Sequence, residues 1–244
     1  MVWGMLMGAS ASAADDVFPR VAELAPHRAL REAREPAEPP SWAYADAAKG
    51  PVAGIVPVAG TTAKAWGVAV FDLPIEAVWM AVNDESRMAG RLPVSISKVI
   101  GGTERAAPRR IFEMMDLPVV ADRWWVVDVS HSAKLYEASG GKVWETAWTD
   151  ATQGAVLDDL HAREAARNGM PVEWTYGAWL LVDLGDRTVV EYYTWSDPGG
   201  SIPAGASRFA GGAVRQTLAA IGELAAQNIG RSRTGFVRPD GSPL

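Results

Sequence analysis

Ser196–Leu224 reads SDPGGSIPAGASRFAGGAVRQTLAAIGEL and joins a tight turn to the longest helical pattern in the chain. Asp197-Pro198-Gly199-Gly200 is turn chemistry, because proline presets φ and glycine accepts φ > 0. Ser201 suits a helix N-cap, and Pro203 a first helical turn, where backbone N–H groups lack partners. From there one face carries Ala206, Ala210, Ala213, Thr217, Ala220 and Leu224, and the adjoining stripe adds Phe209, Val214, Leu218 and Ile221. This spacing is helical. The first face is mostly small, so either bulky side chains from a sheet or an open space lies against it.

Strand signals fill the chain upstream. Ile55–Val58 and Lys64–Phe71 read as two strands joined by a turn at Gly60. Val94–Ile100, Arg109–Leu117, Arg123–Val129, Val143–Thr149, Trp174–Leu184 and Thr188–Ser196 follow, rich in Val, Trp, Tyr and Thr. Gly101-Gly102, Gly140-Gly141 and Gly185-Asp186 sit at hairpin-like spacing, which predicts antiparallel neighbours. After the first pair, Ile75, Val78, Trp79 and Val82 mark the buried face of a helix, and Asn83-Asp84 ends it and opens a second short one. Strands followed by one long helix predict an α+β arrangement, with the helix on one face of a curved antiparallel sheet.

The composition narrows the function. The chain has 244 residues with a net charge of −6, which gives nucleic acid no electrostatic footing. It has no cysteine, excluding disulfides, thiolate metal sites and cysteine nucleophiles. His27, His131 and His161 are dispersed and form no metal-ligand pattern. No metal, cofactor or catalytic group is therefore expected. Eleven Trp against five Phe and five Tyr is a tilt toward the largest side chain. Most of these tryptophans are expected in the core. Residues 1–14 read as a disordered tail or as the end of a secretory signal, with an Ala-x-Ala pattern at Ala11-Ser12-Ala13. The second reading would place the protein outside the cytoplasm, the first within it. Residues 15–50 read as a short amphipathic helix and a proline-rich linker, Glu35-Pro36-Ala37-Glu38-Pro39-Pro40, ahead of a domain at 51–228. Residues 229–244, with Arg231, Arg233 and Arg238, read as a flexible tail.

Four stretches together resemble the START-type lipid-transfer domain of the helix-grip superfamily. Phe71–Trp79 followed by Asn83-Asp84 is similar to its strand-to-helix entry. Asp116-Leu117-Pro118 with Asp122-Arg123-Trp124-Trp125-Val126 is similar to a strand start of the family, with Trp124 where an acid is commoner. Gly177–Leu181 with Arg187–Tyr192 resembles its penultimate hairpin, and Asp197–Pro203 its entry to the last helix. The likeness spans roughly Val52–Leu224 and suggests a bacterial member. It implies a helix-grip fold, a curved antiparallel β-sheet wrapped around a long C-terminal α-helix, with two short helices after the early strands. It also implies a tunnel between sheet and helix for one hydrophobic small molecule or lipid. A transient membrane contact would go with lipid transfer. Some relatives cyclise polyketides, so the same tunnel admits a cyclase or aromatase as the alternative. A groove that holds a partner helix or peptide is a third reading.

Candidate ligand-binding residues are Met114, Arg123, Trp125, Glu145, Glu191, Tyr193, Phe209, Ala210, Ala213 and Thr217. Arg123, Trp125 and Val127 share one strand face. A buried arginine needs an acceptor, which is either a ligand's polar head or an acid such as Asp116, Asp122 or Glu145. Glu145 and Glu191 sit among apolar strand residues, where an unpaired carboxylate has its pKa raised. In the cyclase reading Glu145, Glu191 or Tyr193 moves a proton, and in the plain reading one carboxylate simply faces water. Glu113, between Phe112 and Met114, has the same ambiguity. Met114 and Met115 are adaptable apolar fillers suited to a pocket wall or a core. Gln153–Asn168 is polar and helical, and reads as a lid over the tunnel mouth or an inert insertion.

Overall fold

A computed structural model describes residues 17–58, 62–117, 120–200 and 210–244. Ala11–Ala13, Gly60, Pro118, Ser201, Pro203, Ala206 and Phe209 lie outside the described residues, as does the side chain of Ala210.

The strands are β1 (Val52–Pro57), β2 (Ala63–Phe71), β3 (Ile96–Gly102), β4 (Arg109–Met115), β5 (Arg123–His131), β6 (Val143–Asp150), β7 (Met170–Pro171), β8 (Trp174–Asp183) and β9 (Thr188–Asp197). They form one sheet in the order β1-β2-β9-β8-β6-β5-β4-β3, with the two-residue β7 set parallel on β5. All other pairings are antiparallel, as the glycine spacing predicts. The helices are α1 (Val17–Glu23), α2 (Ser41–Ala47), α3 (Ile75–Val82), α4 (Ala133–Ala138), α5 (Leu160–Asn168) and α6 (Ala210–Ala226), with short 3-10 turns at Ala25–Leu30 and Glu85–Arg87.

Strand parity sorts the sheet into two faces. On the inner face, Val214, Leu218, Ile221, Leu224 and Ala225 of α6 and Ile75, Val78, Trp79 and Val82 of α3 pack with Ala65, Ala69, Trp144, Trp179, Leu181 and Val190. The alanines and Gly67 of β2 let α6 come close. A Cβ on Gly67 would stand 2.5 Å from Val214 Cγ1 and 2.6 Å from Leu218 Cδ1. The large side chains of α6 therefore face the sheet, whereas Ala213 and Ala220 of the small stripe stay partly exposed.

The outer face is covered twice, and each cover corrects an expectation. The described part of the expected helix and linker, residues 17–50, packs on the domain. Val17, Val21, Ala37, Ala43, Tyr44 and Ala47 pack on Trp66, Val68, Leu180, Val182 and Tyr193 as one core. The segment Gln153–Asn168 is helical only from Leu160, where the Asp159 carboxylate caps it by accepting from the Ala162 N–H at 2.9 Å. It is not a lid on the inner face, because Ala162, Ala165 and Ala166 lie against Phe112, Met114, Trp124 and Val126 on the outer side of β4 and β5. The C-terminal tail also folds back. Val237 pairs with Pro243 across a β-bridge, the Val237 carbonyl accepts from Trp79 Nε1 at 2.7 Å, and Phe236 is buried.

Candidate functional site

The two helices of the inner face pack on only part of the sheet. α3 and α6 serve β1, β2, β8 and the near ends of β6 and β9. Towards β3, β4 and β5 the same face continues as a second apolar surface, with Ile111, Val127 and Val129 at its floor and Val99, Trp125 and Trp148 around them. Register places these side chains together: Val99 pairs with Ile111, Ile111 with Val127, and Val129 with Trp148. Trp148 lies flat over the backbone of β8, where a Cβ on Gly177 would come within 2.0 Å of its ring. Tyr192 then stands 6.0 Å from Trp148 and 4.3 Å from Trp179, ring centre to ring centre.

A carboxyl group, that of Glu113, interrupts this surface. Glu113 of β4 pairs with Trp125 of β5 and Ser97 of β3, so all three side chains share the inner face. Trp125 Nε1 donates to Glu113 Oε2 at 2.8 Å, and Ser97 Oγ donates to Glu113 Oε1 at 2.9 Å. Burial pushes the Glu113 carboxyl above the usual carboxylate range, and the charge of Glu85 adds to this against the pull of the two donors and Arg109. The Tyr192 phenol is pushed up too, first by burial and then by the charge of Glu113. Glu113, Trp125, Trp148 and Tyr192 all remain partly exposed. The arrangement therefore offers flat aromatic walls and, at Glu113, a polar point with hydrogen-bonding capacity to spare, since each carboxylate oxygen has two lone pairs.

A polar network closes one end. Arg109 donates from Nε and Nη2 to Glu85 Oε1 at 2.9 and 2.6 Å and from Nη2 to Asn83 Oδ1 at 2.9 Å. His131 Nε2 lies 3.1 Å from Asn83 Oδ1, and its pKa is pushed down to about 3 by burial and by the Arg109 charge. A cleft of about 70 Å³ lined by Asp84, Glu85, Ser97 and Arg105 adjoins it. Among the described residues no group of three or more His, Cys, Asp or Glu side chains is placed to hold a metal ion, and no helix is long and apolar enough to cross a membrane.

The candidates named from sequence fall into separate places. Trp125 lies in this surface, on the same face as Arg123 and Val127, as expected. Arg123 is buried but serves the fold: Nε donates to Pro198 O at 2.6 Å, Nη2 to Gly199 O at 3.2 Å and Nη1 to Ala121 O. Its acceptors are backbone carbonyls, two of them in the turn before α6, and not an acid. Glu145, Glu191 and Tyr193 have the opposite parity and lie on the outer face under the N-terminal segment, so they do not share the inner face with Trp125. Arg31 Nε donates to Glu145 Oε1 at 2.6 Å, and Arg28 and Tyr44 donate to Glu191, the latter at 2.8 Å. The Tyr193 hydroxyl donates to Arg34 O at 2.9 Å. Met114 is likewise on the outer face, packed beneath α5. Thr217 is buried on α6. Ser97 and Tyr192 are not among the candidates read from sequence, and Trp148 enters there only as one of the many tryptophans. Strand parity around Trp125 finds their face only when the cross-strand register is known.

The fold can be compared with solved structures. A STAR-related lipid transfer protein from Xanthomonas axonopodis superposes with a TM-score of 0.61 at 19% identity, over 74% of this chain and 96% of that one. Human STARD10 gives 0.57 at 11% identity over 74% and 71%, and human StAR-related lipid transfer protein 5 gives 0.57 at 12% over 88% and 98%. The chain has the START-type helix-grip fold. No family model matches its sequence, and no curated protein is similar to it in sequence. In this START-type fold the nine-stranded sheet curves around α6, and the Ile111–Trp125–Trp148 surface lies beside that helix on the same side.

Proposed function

We propose that this protein binds one hydrophobic small molecule, of lipid class, on the inner face of the sheet beside α6, without catalysis. The observation that carries the reading is the apolar surface of Ile111, Val127, Val129, Trp125 and Trp148 interrupted by the carboxyl of Glu113. Burial of the ligand supplies the affinity, at about 0.8 kcal/mol per CH₂ group. Glu113 orients it by accepting from a hydroxyl or amine of the ligand. The likeness to lipid-transfer proteins agrees with this reading in fold alone.

A second reading draws on the same carboxyl. Glu113 is held towards its protonated form beside Tyr192, which is what a general acid of the cyclase kind needs. The acids suggested for that role from sequence, Glu145 and Glu191, are on the wrong face for it.

The test is organic extraction of the purified protein with mass spectrometry, joined to uptake of a fluorescent acyl lipid by wild type and by Val127→Trp. Co-purified lipid, with uptake lost in Val127→Trp and its unfolding midpoint little changed, is expected, because the indole fills ligand space. A large fall in midpoint with no lipid found would mean that Val127 is ordinary core, and the reading fails. Turnover of a polyketide chain abolished by Glu113→Gln would favour the enzyme instead.

A further inference from the structure

At the C-terminal end of α6 the fold gathers arginines on amide oxygens instead of carboxylates. Arg87, in the 3-10 turn after α3, donates from Nη1 to Asn228 Oδ1 at 2.5 Å and from Nη2 to Gln227 Oε1 at 2.6 Å. Arg91 donates to that same Gln227 oxygen at 3.2 Å. Arg231 donates to that same Asn228 oxygen at 2.9 Å. Two guanidinium groups thus share one oxygen, and this happens twice. One acceptor is fixed from below: Asn228 is buried, and its Nδ2 donates to the Ala77 carbonyl of α3 at 2.9 Å.

Negative charge is scarce there. Asp84 is the carboxylate that acts on Arg87, and it stands 3.9 Å from Arg231. It is itself buried, takes the Ser86 hydroxyl on Oδ1 and sits 3.5 Å from Arg105. Burial, and then the positive charges of Arg231 and Arg91, hold the Arg87 guanidinium below its ordinary pKa. The chain as a whole carries a net charge of −6, so this is a local concentration against the overall sign. The negative end of the α6 dipole favours a cation at this point. It does not explain three cations whose side-chain acceptors are neutral amides.

A guanidinium has five N–H donors. The bonds above use two on Arg87, one on Arg91 and one on Arg231. Arg91 and Arg231 are exposed, so an ion can reach them. An oxyanion with three or more oxygens matches three planar donor forks better than a carboxylate with two.

We propose that Arg87, Arg91 and Arg231 form a phosphate-binding site at the C-terminal end of α6, for a phosphate ester or inorganic phosphate. The same chemistry is carried by a lipid headgroup and by a small free phosphate. The site is separate from the inner-face surface and does not depend on what binds there.

The test uses the full chain at low ionic strength. Inorganic phosphate is titrated against chloride at matched ionic strength, with thermal unfolding and calorimetry as readouts. In parallel, the protein is sedimented with phosphatidylcholine vesicles with and without phosphatidic acid. Phosphate is expected to raise the unfolding midpoint where chloride does not. Arg91→Gln/Arg231→Gln is expected to lower phosphate affinity at least about tenfold, since tenfold corresponds to roughly one charge-assisted hydrogen bond and the variant loses two guanidinium groups. Because both residues are exposed, this variant keeps the wild-type midpoint in the absence of phosphate, and Arg91→Gln alone serves as the milder check. Retention by phosphatidic acid vesicles assigns the phosphate to a lipid, and a phosphate response without retention assigns it to a free ligand. Phosphate no better than chloride, together with no preference for phosphatidic acid, overturns the site. So does a double variant that responds as wild type does.

Discussion

Removing Arg31 should destabilise this protein strongly, because its nearly buried side chain is paired with a buried carboxylate. Glu145 sits in the middle of β6 with 0% exposure, and its two oxygens accept from Arg31 Nε and from the Glu32 backbone N–H, each at 2.6 Å. Arg31→Ala deletes the cation and leaves the carboxylate buried with one donor. Breaking a buried pair on one side costs about 3–5 kcal/mol. That is a large part of the roughly 5–15 kcal/mol by which a domain is stable. For a chain of this size it lowers the midpoint by about 6–20 °C, at 2–4 °C per kcal/mol. Urea unfolding followed by tryptophan fluorescence measures it. Arg31→Ala/Glu145→Gln should recover part of the loss, because the neutral amide no longer needs the cation, and the double-mutant cycle gives the coupling directly. A loss under about 0.5 kcal/mol for Arg31→Ala, the range of ordinary surface changes, would refute the reasoning. It would mean that the N-terminal segment leaves Glu145 wet.

Acid should act through Glu191 in the same layer. Burial alone would raise its pKa, but the charge and hydrogen bonds of Arg28, with Arg31 and Tyr44, hold it below the usual value. This contribution is therefore full above about pH 4.3, the ordinary Glu value, and is lost as pH falls through the depressed one. Glu191→Gln should flatten the acid limb of the stability profile, and an unchanged limb would count against the pairing. Arg123→Met should loosen the entry to α6, since two carbonyls of the 197–200 turn, Pro198 and Gly199, lose their donor. Faster amide exchange in 210–226 than in β6 is the expected reading, and uniform exchange would contradict it. Gly177→Ala should cost about 1–3 kcal/mol by overpacking, because its Cβ would meet the Trp148 ring at 2.0 Å. A neutral result in urea unfolding would mean that the indole moves aside freely.

The strand runs, the turn before the last helix and the class of fold were legible in the chain itself. Period-2 and period-3.6 patterns are local, and so is turn chemistry: Gly199 and Gly200 do take positive φ, at 65° and 64°, and the Asp197 carboxylate accepts from the Gly199 N–H at 3.0 Å. Parity also put Arg123, Trp125 and Val127 on one side correctly. What parity cannot state is which side faces α6, because both faces of this sheet are apolar. One is covered by α3 and α6, the other by the N-terminal segment and α5. Glu145 and Glu191 looked like tunnel acids for that reason, and only the docking of Arg28 and Arg31, more than a hundred residues away in sequence, assigns them to the outer face. The carboxyl that does lie inside, Glu113, is marked by its cross-strand partners Ser97 and Trp125, and register is a property of the assembled sheet. The sequence thus determined the elements and their periodicity, which are written in neighbouring residues. Tertiary structure alone decided which face became interior, since that depends on segments distant in the chain competing for the same surface.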